Sequence, residues 1–438
     1  MSPWAGMALV LGLLAASFAG VALWRHLAQP HPELPRKLMH VLMGLVAAGF
    51  PWLFDSVWPV LVLAAASMIA LWLVRAGRAG TAGLQGVLHG VGRVSWGELL
   101  FPAGVAAVFV LADGNALLYS VPILILALAD ALAALIGLRY GQMRFTTLDG
   151  QKSLEGSIAF FVVTFLCVHV ALLLFTDTGR AESLLIGLIL GLLVMMFEAI
   201  AWRGLDNLFI PLAAHALLQS YLGLDAAALL GQLGLVALLV LFVVFWRRRS
   251  TLDDGALIGA VLMAYASLAI GGWPWLAVML LAFVVATVLA LRDGAPERNL
   301  HNLVALLALG GPGLFWLLLH TRGETEAAFV AYAISFGAQL TMLGVSRAHA
   351  GRSQTGWRDL LPALGSGWAI VALPLLVSQV VHPVVALLAG LPVVLAGYAF
   401  QCVQPGLAAC PTDAARWTRQ AGIATGVSLL GWSVMRLI

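Results

Sequence analysis

Long apolar runs, separated by short polar stretches, repeat along the whole chain. Each run approaches the roughly 20 residues that a helix needs to cross a bilayer. The runs lack the alternation of apolar and polar residues that marks membrane strands, so strands are not expected. The pattern predicts an all-α, polytopic integral membrane protein of about 16 transmembrane helices, at 4–24, 38–54, 57–74, 98–112, 117–137, 157–175, 184–201, 207–222, 226–246, 255–271, 275–291, 301–320, 327–345, 360–381, 384–402 and 419–435.

The composition agrees with this pattern. Of the 438 residues, 62% are hydrophobic and 10% are charged, whereas a soluble domain carries about 25% charged residues. The net charge of +3 comes without a basic domain, so we expect the lipid bilayer and no nucleic acid as a partner. The first apolar run is followed, not preceded, by a basic residue, Arg25, which predicts a membrane helix with its N-terminus outside and no signal peptide.

Basic residues concentrate in every second loop between the predicted spans, which places them on one side of the membrane. In the first half, the loops on the opposite side carry a single basic residue, Arg180. By the positive-inside rule the other side is cytoplasmic, and we expect the inner membrane of a bacterium. A boundary at RRRSTLDD (247–254) predicts two domains, 1–250 with nine helices and 251–438 with seven. The cytoplasmic loops of the first domain carry Arg25, Arg36, Lys37, Arg75, Arg78, Arg93, Arg139, Arg144, Lys152, Arg203, Arg247, Arg248 and Arg249.

Polar residues in or beside the apolar runs gather toward this cytoplasmic face. Asp130 stands out, because a carboxylate inside a span costs several kcal/mol unless it is paired, protonated or in water. Nine residues separate it from Arg139 at the helix exit, a depth of roughly 13 Å. Polar residues with purely structural roles would be distributed over both faces of the membrane, whereas these lie toward the cytoplasmic face. We therefore interpret the set as a candidate active site: Arg36, Lys37, His40, Glu98, Asp130, Lys152, Ser153, Glu155, Glu198, Asp206 and Asn207.

Small residues follow Asp130 along one helical face, at Gly137 and Gly141. They let either a ligand or a second helix approach closely, and both interpretations stay open. Farther toward the N-terminus, Arg36 and Lys37 are predicted as membrane anchors, with a phosphate contact as a second role. His40, one turn after Arg36, either faces the same site or packs at the membrane interface.

The octet GQKSLEGS (150–157) supplies groups that can bind phosphate, which the helical face with Asp130, Gly137 and Gly141 lacks. Lys152 offers a positive charge for a phosphate, Gly156 permits close backbone approach, and the amides from Ser153 onward open a helix that favours anions. Glu155 is expected to hold Mg²⁺ with Asp130, Glu198 or Asp206, since magnesium uses one or two carboxylates plus substrate phosphates. The alternative is that Lys152 anchors the loop and Glu155 is its partner.

The ordered motifs of the first half resemble those of the CTP-dependent polyprenol kinases of the phytol kinase and dolichol kinase type. These motifs are RKLMHVLMG (36–44), SWGELLFPAG (95–104), DALAALIGLRYG (130–141) with KSLEG (152–156), and EAIAWRGLDNLFIPL (198–212). The resemblance covers about residues 30 to 225.

This resemblance implies transfer of the γ-phosphate of CTP to the hydroxyl of a membrane isoprenoid alcohol. It implies a nucleotide and metal site at Asp130, Lys152, Glu155 and Gly156, completed by Glu198, Asp206 and Asn207. Asp130, Glu98 and His40 are, in that order, the candidates for the base that receives the hydroxyl proton.

The second half resembles the transmembrane family that includes phytyl-phosphate kinases, through TLDDGALIGAVLMAYASLAIGGW (251–273) and ERNLHNLVALLALGG (297–311). Gly337 and Met342 stand where that family has acids, so we expect a degenerate half. A two-step kinase that makes the prenyl diphosphate is the minority interpretation. Other rivals are a CTP-dependent diacylglycerol kinase, a cytidylyltransferase that forms a CDP-lipid, and a transporter, although a transporter should carry polar groups near mid-membrane.

Overall fold

A computed structural model describes residues 1–75, 96–246, 251–292, 301–323, 326–350, 355–407 and 413–437. The chain forms two compact units, Met1–Leu238 and Leu239–Ile438. Some residues used above lie outside the described ranges, namely Arg78, Arg93, the segment 247–250 at the expected domain boundary, and the first four residues of the motif at 297–311.

The first unit is a helical bundle with one small hairpin. Its elements, in chain order, are α1 (Pro3–Ala28), α2 (Glu33–Ala48), α3 (Phe50–Leu53), α4 (Trp58–Arg75), α5 (Gly97–Ala112), α6 (Ala116–Leu124), a π-helical segment (Ile125–Ala129), α7 (Asp130–Tyr140), β1 (Arg144–Thr147), β2 (Gly150–Ser153), α8 (Leu154–Phe175), α9 (Arg180–Ile200), α10 (Asp206–Tyr221) and α11 (Ala226–Trp246). The division between the units falls inside α11.

The second unit is helical throughout its described residues. Its elements are α12 (Asp254–Gly271), α13 (Trp273–Arg292), α14 (Leu303–His320), α15 (Glu326–His349), α16 (Trp357–Ser378), α17 (Pro383–Leu388), α18 (Leu391–Val403) and α19 (Ala414–Met435). Helix α15 is the most enclosed, and Gly337 and Met342 lie on it. A Cβ on Gly337 would stand 2.7 Å from the carbonyl of Gly367, and Met342 is fully buried, so both positions serve helix packing.

The prediction of an all-α polytopic membrane protein is confirmed. A helix occupies each of the sixteen predicted spans within the described residues. Eleven helical spans there are long and apolar enough to cross a membrane by length and composition. Boundaries shift where polar residues continue a helix: the span expected at 38–54 begins at Glu33 and breaks at Gly49.

The expectation that strands are absent is wrong at one place. β1 and β2 pair antiparallel, with Arg144 opposite Ser153 and Thr147 opposite Gly150. Four-residue strands are too short to display the alternation that marks a strand in sequence. Gly150 has a φ of 122°, which a residue with a side chain rarely adopts, and this lets the chain reverse. Helix α8 therefore begins one residue after the hairpin, at Leu154.

A π-helical segment precedes Asp130 directly, a feature that hydrophobic periodicity does not reveal. Ile125–Ala129 joins α6, which contains Pro122, to α7. Single π-helical turns inside α-helices occur often at functional sites. Here the carbonyl of Leu126 lies 3.1 Å from Nε2 of His40 on α2. The segment thus brings α2 against the start of α7.

Close contact between α2 and this segment depends on Gly44. A Cβ placed on Gly44 would clash with the Cβ of Ala127. Small residues at such crossings let two membrane helices approach and pack. His40 lies one turn and Lys37 two turns earlier on the same helix, so this crossing sets their distance from Asp130.

We predict that Gly44→Val lowers the free energy of unfolding by about 1–3 kcal/mol, the usual cost of overpacking a tight contact. Denaturant titration in mixed micelles measures it. Gly12→Val is the matched control, because no atom lies within 4 Å of a Cβ at Gly12 on α1. Equal losses in the two variants would show that the α2 crossing is not specially tight.

Candidate active site

A cavity of about 890 Å³ lies within the first unit. Its walls come from α1, α2, α4 and α5, with the start of α7, the hairpin turn and residues 203–207. One end is charged and the other is apolar. The charged end includes Lys37, His40, Glu98, Asp130, Asp206 and Asn207, and the apolar end includes Val10, Leu14, Val46, Phe50, Leu63 and Val105.

An ion pair between Lys37 and Asp130 stands at the charged end. Lys37 Nζ lies 2.6 Å from Oδ2 of Asp130, and the two side chains are 6% and 12% exposed. Nζ also donates to the backbone carbonyl of Asp130 at 3.4 Å. His40 Nε2 lies 3.6 Å from the same carboxylate oxygen. The ion pair with Lys37 explains how the Asp130 carboxylate is accommodated inside a span, since a buried charge needs a partner of opposite charge.

Asp206 and Asn207 reach the cavity from the first turn of α10. Asn207 Nδ2 donates to the carbonyl of Gly97 at 2.9 Å, and Trp96 N donates to the carbonyl of Arg203 at 2.8 Å. These bonds tie the start of α5 to the segment before α10. They place Asp206 near enough to Asp130 for the two carboxylates to interact electrostatically.

Lys152 on β2 pairs with Glu198 at the end of α9. Nζ lies 2.6 Å from Oε1 of Glu198 and also donates to the Glu198 carbonyl. Burial lowers the pKa of Lys152, but the adjacent Glu198 carboxylate outweighs burial and holds that pKa above its usual value. Asp206 and Asp130 contribute to the same electrostatic effect. Lys152 therefore stays protonated beside the charged end of the cavity, although it is not one of the wall residues.

The small residues after Asp130 pack against the start of α8. Ser153 Oγ caps that helix by accepting from Gly156 N at 3.1 Å. A Cβ on Gly137 would lie 2.9 Å from Ser153 Oγ, and one on Gly141 would lie 2.7 Å from Ser153 Cβ. A Cβ on Gly156 would lie 2.9 Å from the Ala133 carbonyl. The face of α7 that carries Gly137 and Gly141 could have received either a ligand or a second helix. In the structure it packs against the start of α8.

Glu155 does not join the other acids. Its Oε1 accepts from the backbone N of Met143 at 3.1 Å, which closes the entry to the hairpin. Its expected partner, Lys152, pairs with Glu198 instead. The reason is geometric: Lys152 sits on the strand before Ser153, so it does not share a helical face with Glu155.

Residues that sequence reasoning did not select also line the charged end: Glu33, Arg75, Asp149, Arg203 and Gly204. Glu33 pairs with Arg36 at 2.7 Å, and Asp149 accepts from the backbone N of Arg203. Arg75 lies over the ring of Trp96 at 4.4 Å. The sequence assigned the basic members, Arg75 and Arg203, only to cytoplasmic loops, and the three-dimensional arrangement brings them to a cavity.

The expected cluster of four metal-binding carboxylates is not assembled. Within the described residues, no group of three or more His, Cys, Asp or Glu side chains could hold a metal ion. Glu155 and Glu198 have the other partners described above. Asp130 and Asp206 do line one cavity together, and two carboxylates suffice for Mg²⁺ when substrate phosphates complete its coordination. The donor set therefore fits a metal that arrives with a nucleotide.

A curated relative matches this chain at 28% identity over 219 residues: the phytol kinase of Synechocystis sp.. The match covers 48% of this chain and 89% of that protein. No protein-family model matches the chain. No solved structure matches it either.

Removing one member of the Lys37–Asp130 pair should leave a buried charge without a counterion. We predict that Lys37→Met and Asp130→Asn each lower the free energy of unfolding by about 3–5 kcal/mol. The double variant should lose less than the sum of the two single losses, because the partners are coupled. Denaturant titration of the four proteins in micelles measures this coupling.

The neighbouring cation supplies the control. Arg36 pairs with Glu33, but its side chain is 42% exposed, so Arg36→Met should cost less than about 1 kcal/mol. Additive losses in the Lys37 and Asp130 cycle would contradict a coupled buried pair.

Glu155→Gln tests the position of Glu155. The amide oxygen can still accept from Met143 N, so we predict wild-type stability and an unchanged magnesium requirement in the kinase assay described below. A tenfold or greater rise in the magnesium concentration that gives half-maximal activity would instead make Glu155 a ligand.

Proposed function

We propose that this chain is a membrane lipid kinase of the polyprenol kinase family. It transfers the γ-phosphate of CTP to the hydroxyl of an isoprenoid alcohol, giving the prenyl monophosphate and CDP. The observation that carries the proposal is the two-ended cavity, because one space offers charges for a nucleotide and an apolar wall for a lipid tail. The similarity to a phytol kinase over about half the chain supports the same class of reaction.

The charged end suits phosphoryl transfer, which needs charge neutralisation and in-line positioning more than covalent chemistry. Lys37 lines the cavity and Lys152 stands beside it, and both side chains are largely enclosed. Cations in a partly water-free site stabilise phosphate charge more strongly than they would in water. In the free protein Asp130 and Glu198 balance these lysines, which lets the cations remain buried until phosphates arrive.

Asp130 and Asp206 would hold Mg²⁺ together with the nucleotide phosphates. The metal would supply neutralisation of the charge on the transferred phosphoryl group. In the reaction, the alcohol oxygen attacks the γ-phosphorus, the bond to the β-phosphate oxygen breaks, and CDP leaves. The hydroxyl proton goes to one of the three bases of the cavity, Asp130, Glu98 or His40.

The apolar end gives the alcohol a path from the bilayer. Its walls are carbon-rich side chains of α1, α2, α4 and α5, so a prenol tail replaces lipid contacts with similar ones. The hydroxyl is polar and is drawn toward the charged end. The positive-inside distribution orients that end to the cytoplasm, where nucleotide is found, and this supports a cytoplasmic active site in an inner membrane.

The products separate this proposal from its rivals. A cytidylyltransferase releases pyrophosphate, a diacylglycerol kinase phosphorylates diacylglycerol but no prenol, and a two-step kinase accumulates prenyl diphosphate. A transporter moves solute across proteoliposomes without consuming nucleotide. The burial of Gly337 and Met342 against neighbouring helices supports the expectation of a degenerate second half and disfavours the two-step alternative.

We predict that purified protein with Mg²⁺, γ-labelled CTP and a panel of isoprenoid alcohols yields labelled prenyl monophosphate and CDP. Asp206→Asn should lower the turnover number about a hundredfold or more, because it removes a charge from the phosphate end. Its amide oxygen still accepts from Asn207 N, as Oδ1 of Asp206 does at 3.0 Å, so the fold is retained. Lys152→Ala should abolish activity for the same electrostatic reason.

Asp225→Asn is the matched control, since Asp225 Oδ1 accepts from Ala228 N at 2.8 Å at the start of another helix. It should keep wild-type turnover. Full activity of Lys152→Ala would remove Lys152 from the phosphate site. Parallel reactions with ATP and UTP identify the donor, and label transferred from those but not from CTP would overturn the assignment of CTP.

A further inference from the structure

The apolar end of the cavity stops at a group of four aromatic side chains: Phe50, Phe54, Phe109 and Tyr119, the aromatic partition. Phe50 stacks on Tyr119 with ring centroids 6.4 Å apart, and it meets Phe54 edge-on at 5.5 Å. Phe109 meets Tyr119 edge-on at 5.1 Å. All four are more than nine-tenths buried. Such contacts add to the burial of the rings themselves, so the partition is a firm piece of the core.

Two separate spaces meet this partition from opposite sides. Phe50 lines the large cavity. Phe54, Phe109 and Tyr119 line a second depression of about 380 Å³, together with residues of the 51–57 and 112–115 turns. Within the described residues, the partition therefore lies between the large cavity and that depression.

Hydrogen bonds fix the partition to the end of α2. Tyr119 OH donates to the carbonyl of Ala47 at 3.0 Å, and Ser120 Oγ donates to that of Ala48 at 2.8 Å. These carbonyls belong to the last turn of α2, which the regular i to i−4 hydrogen bonds of the helix do not reach, and the Ala47 carbonyl also accepts from Gly49 N. The same bonds hold Phe50, which begins α3 after Gly49, at the bottom of the cavity.

The distance between the charges and the partition sets a length. On α4, Arg75 lines the charged end and Val60 lies at the apolar end, fifteen residues away, which is about 22 Å along the helix. This is roughly two-thirds of a hydrocarbon core of about 30 Å. An alcohol whose hydroxyl is held at the charged end must fit its tail within that length.

We propose that Phe50 is a specificity-determining residue that limits the chain length of the isoprenoid alcohol. This rests on the proposed function, since it assumes that the lipid tail occupies the apolar end. A prenol that is too long meets the Phe50 ring before its hydroxyl reaches the phosphate site. Prenols shorter than this limit fit into the apolar end, and they differ from one another only in how much apolar area they bury there.

The test is the length profile of kcat/KM for geraniol, farnesol, geranylgeraniol, phytol and a long polyprenol. The wild type should show a limiting length beyond which kcat/KM falls about tenfold or more. Phe50→Ala should raise kcat/KM for the first rejected prenol about tenfold and leave that for geraniol unchanged. Phe50→Leu gives a milder shift in the same direction if the alanine variant does not fold.

A reciprocal variant shortens the cavity. Ala64 lines it on α4, one turn from Val60 on the side of the charges. Ala64→Phe should move the limit to a shorter prenol. Phe109→Leu is the control, because Phe109 faces the second depression and not the cavity, so the limit should not move. The same limit in the wild type, both Phe50 variants and Ala64→Phe would overturn the inference.

Binding measured without nucleotide separates the two proposals. Prenols that fit should raise the Tm of the purified protein, with the same length limit and the same shifts in the variants. Tm shifts that follow the limit, without phosphorylation by any nucleotide, would overturn the proposed kinase and keep the role of Phe50. Phosphorylation of prenols with no length limit would keep the kinase and overturn the role of Phe50.

Discussion

A carboxylate within an apolar span has to be neutralised, and the contact between Lys37 and Asp130 does this. The two residues lie 93 positions apart in the chain, so the contact requires α2 to run against the start of α7. Gly44 permits that approach, and the π-helical segment before Asp130 offers the Leu126 carbonyl to His40. The charged end of the cavity is built around this pair, because His40, Asp206 and Asn207 are all positioned relative to it.

The cavity has a charged part and an apolar part within one continuous space. Its charged end collects cations and carboxylates at the end of α4 and at the starts of α2, α5, α7 and α10, and the Lys152–Glu198 pair stands beside it. Its other end is lined by apolar side chains and closed by the aromatic partition. A protein that only moved a solute would need access from both faces. A closed floor instead suits an enzyme that receives a water-soluble donor at one end and holds a lipid acceptor in the other.

Much of the candidate site could be predicted from the sequence, because polar residues in apolar spans are conspicuous. Lys37, His40, Glu98, Asp130, Asp206 and Asn207 were selected in this way, and they line one cavity. The pairings could not be predicted. Glu155 and Glu198 are both acids near Lys152, but the β-hairpin turns Lys152 toward Glu198 and leaves Glu155 on the backbone of Met143. Gly137 and Gly141 had two interpretations, and only the position of Ser153 decides for packing.

The sequence by itself determined the all-α membrane fold class, the positions of the helical runs and the set of charged residues, because hydrophobic runs and isolated charges are local properties that the bilayer makes costly to misplace. The tertiary structure alone decided which charges pair, where the hairpin forms, and that Phe50, Val60 and Val10 from different helices enclose one apolar space. Pairing and enclosure are relations between distant residues. They depend on crossing points such as Gly44 and on ring contacts such as Phe50 with Tyr119, which no hydrophobic pattern encodes.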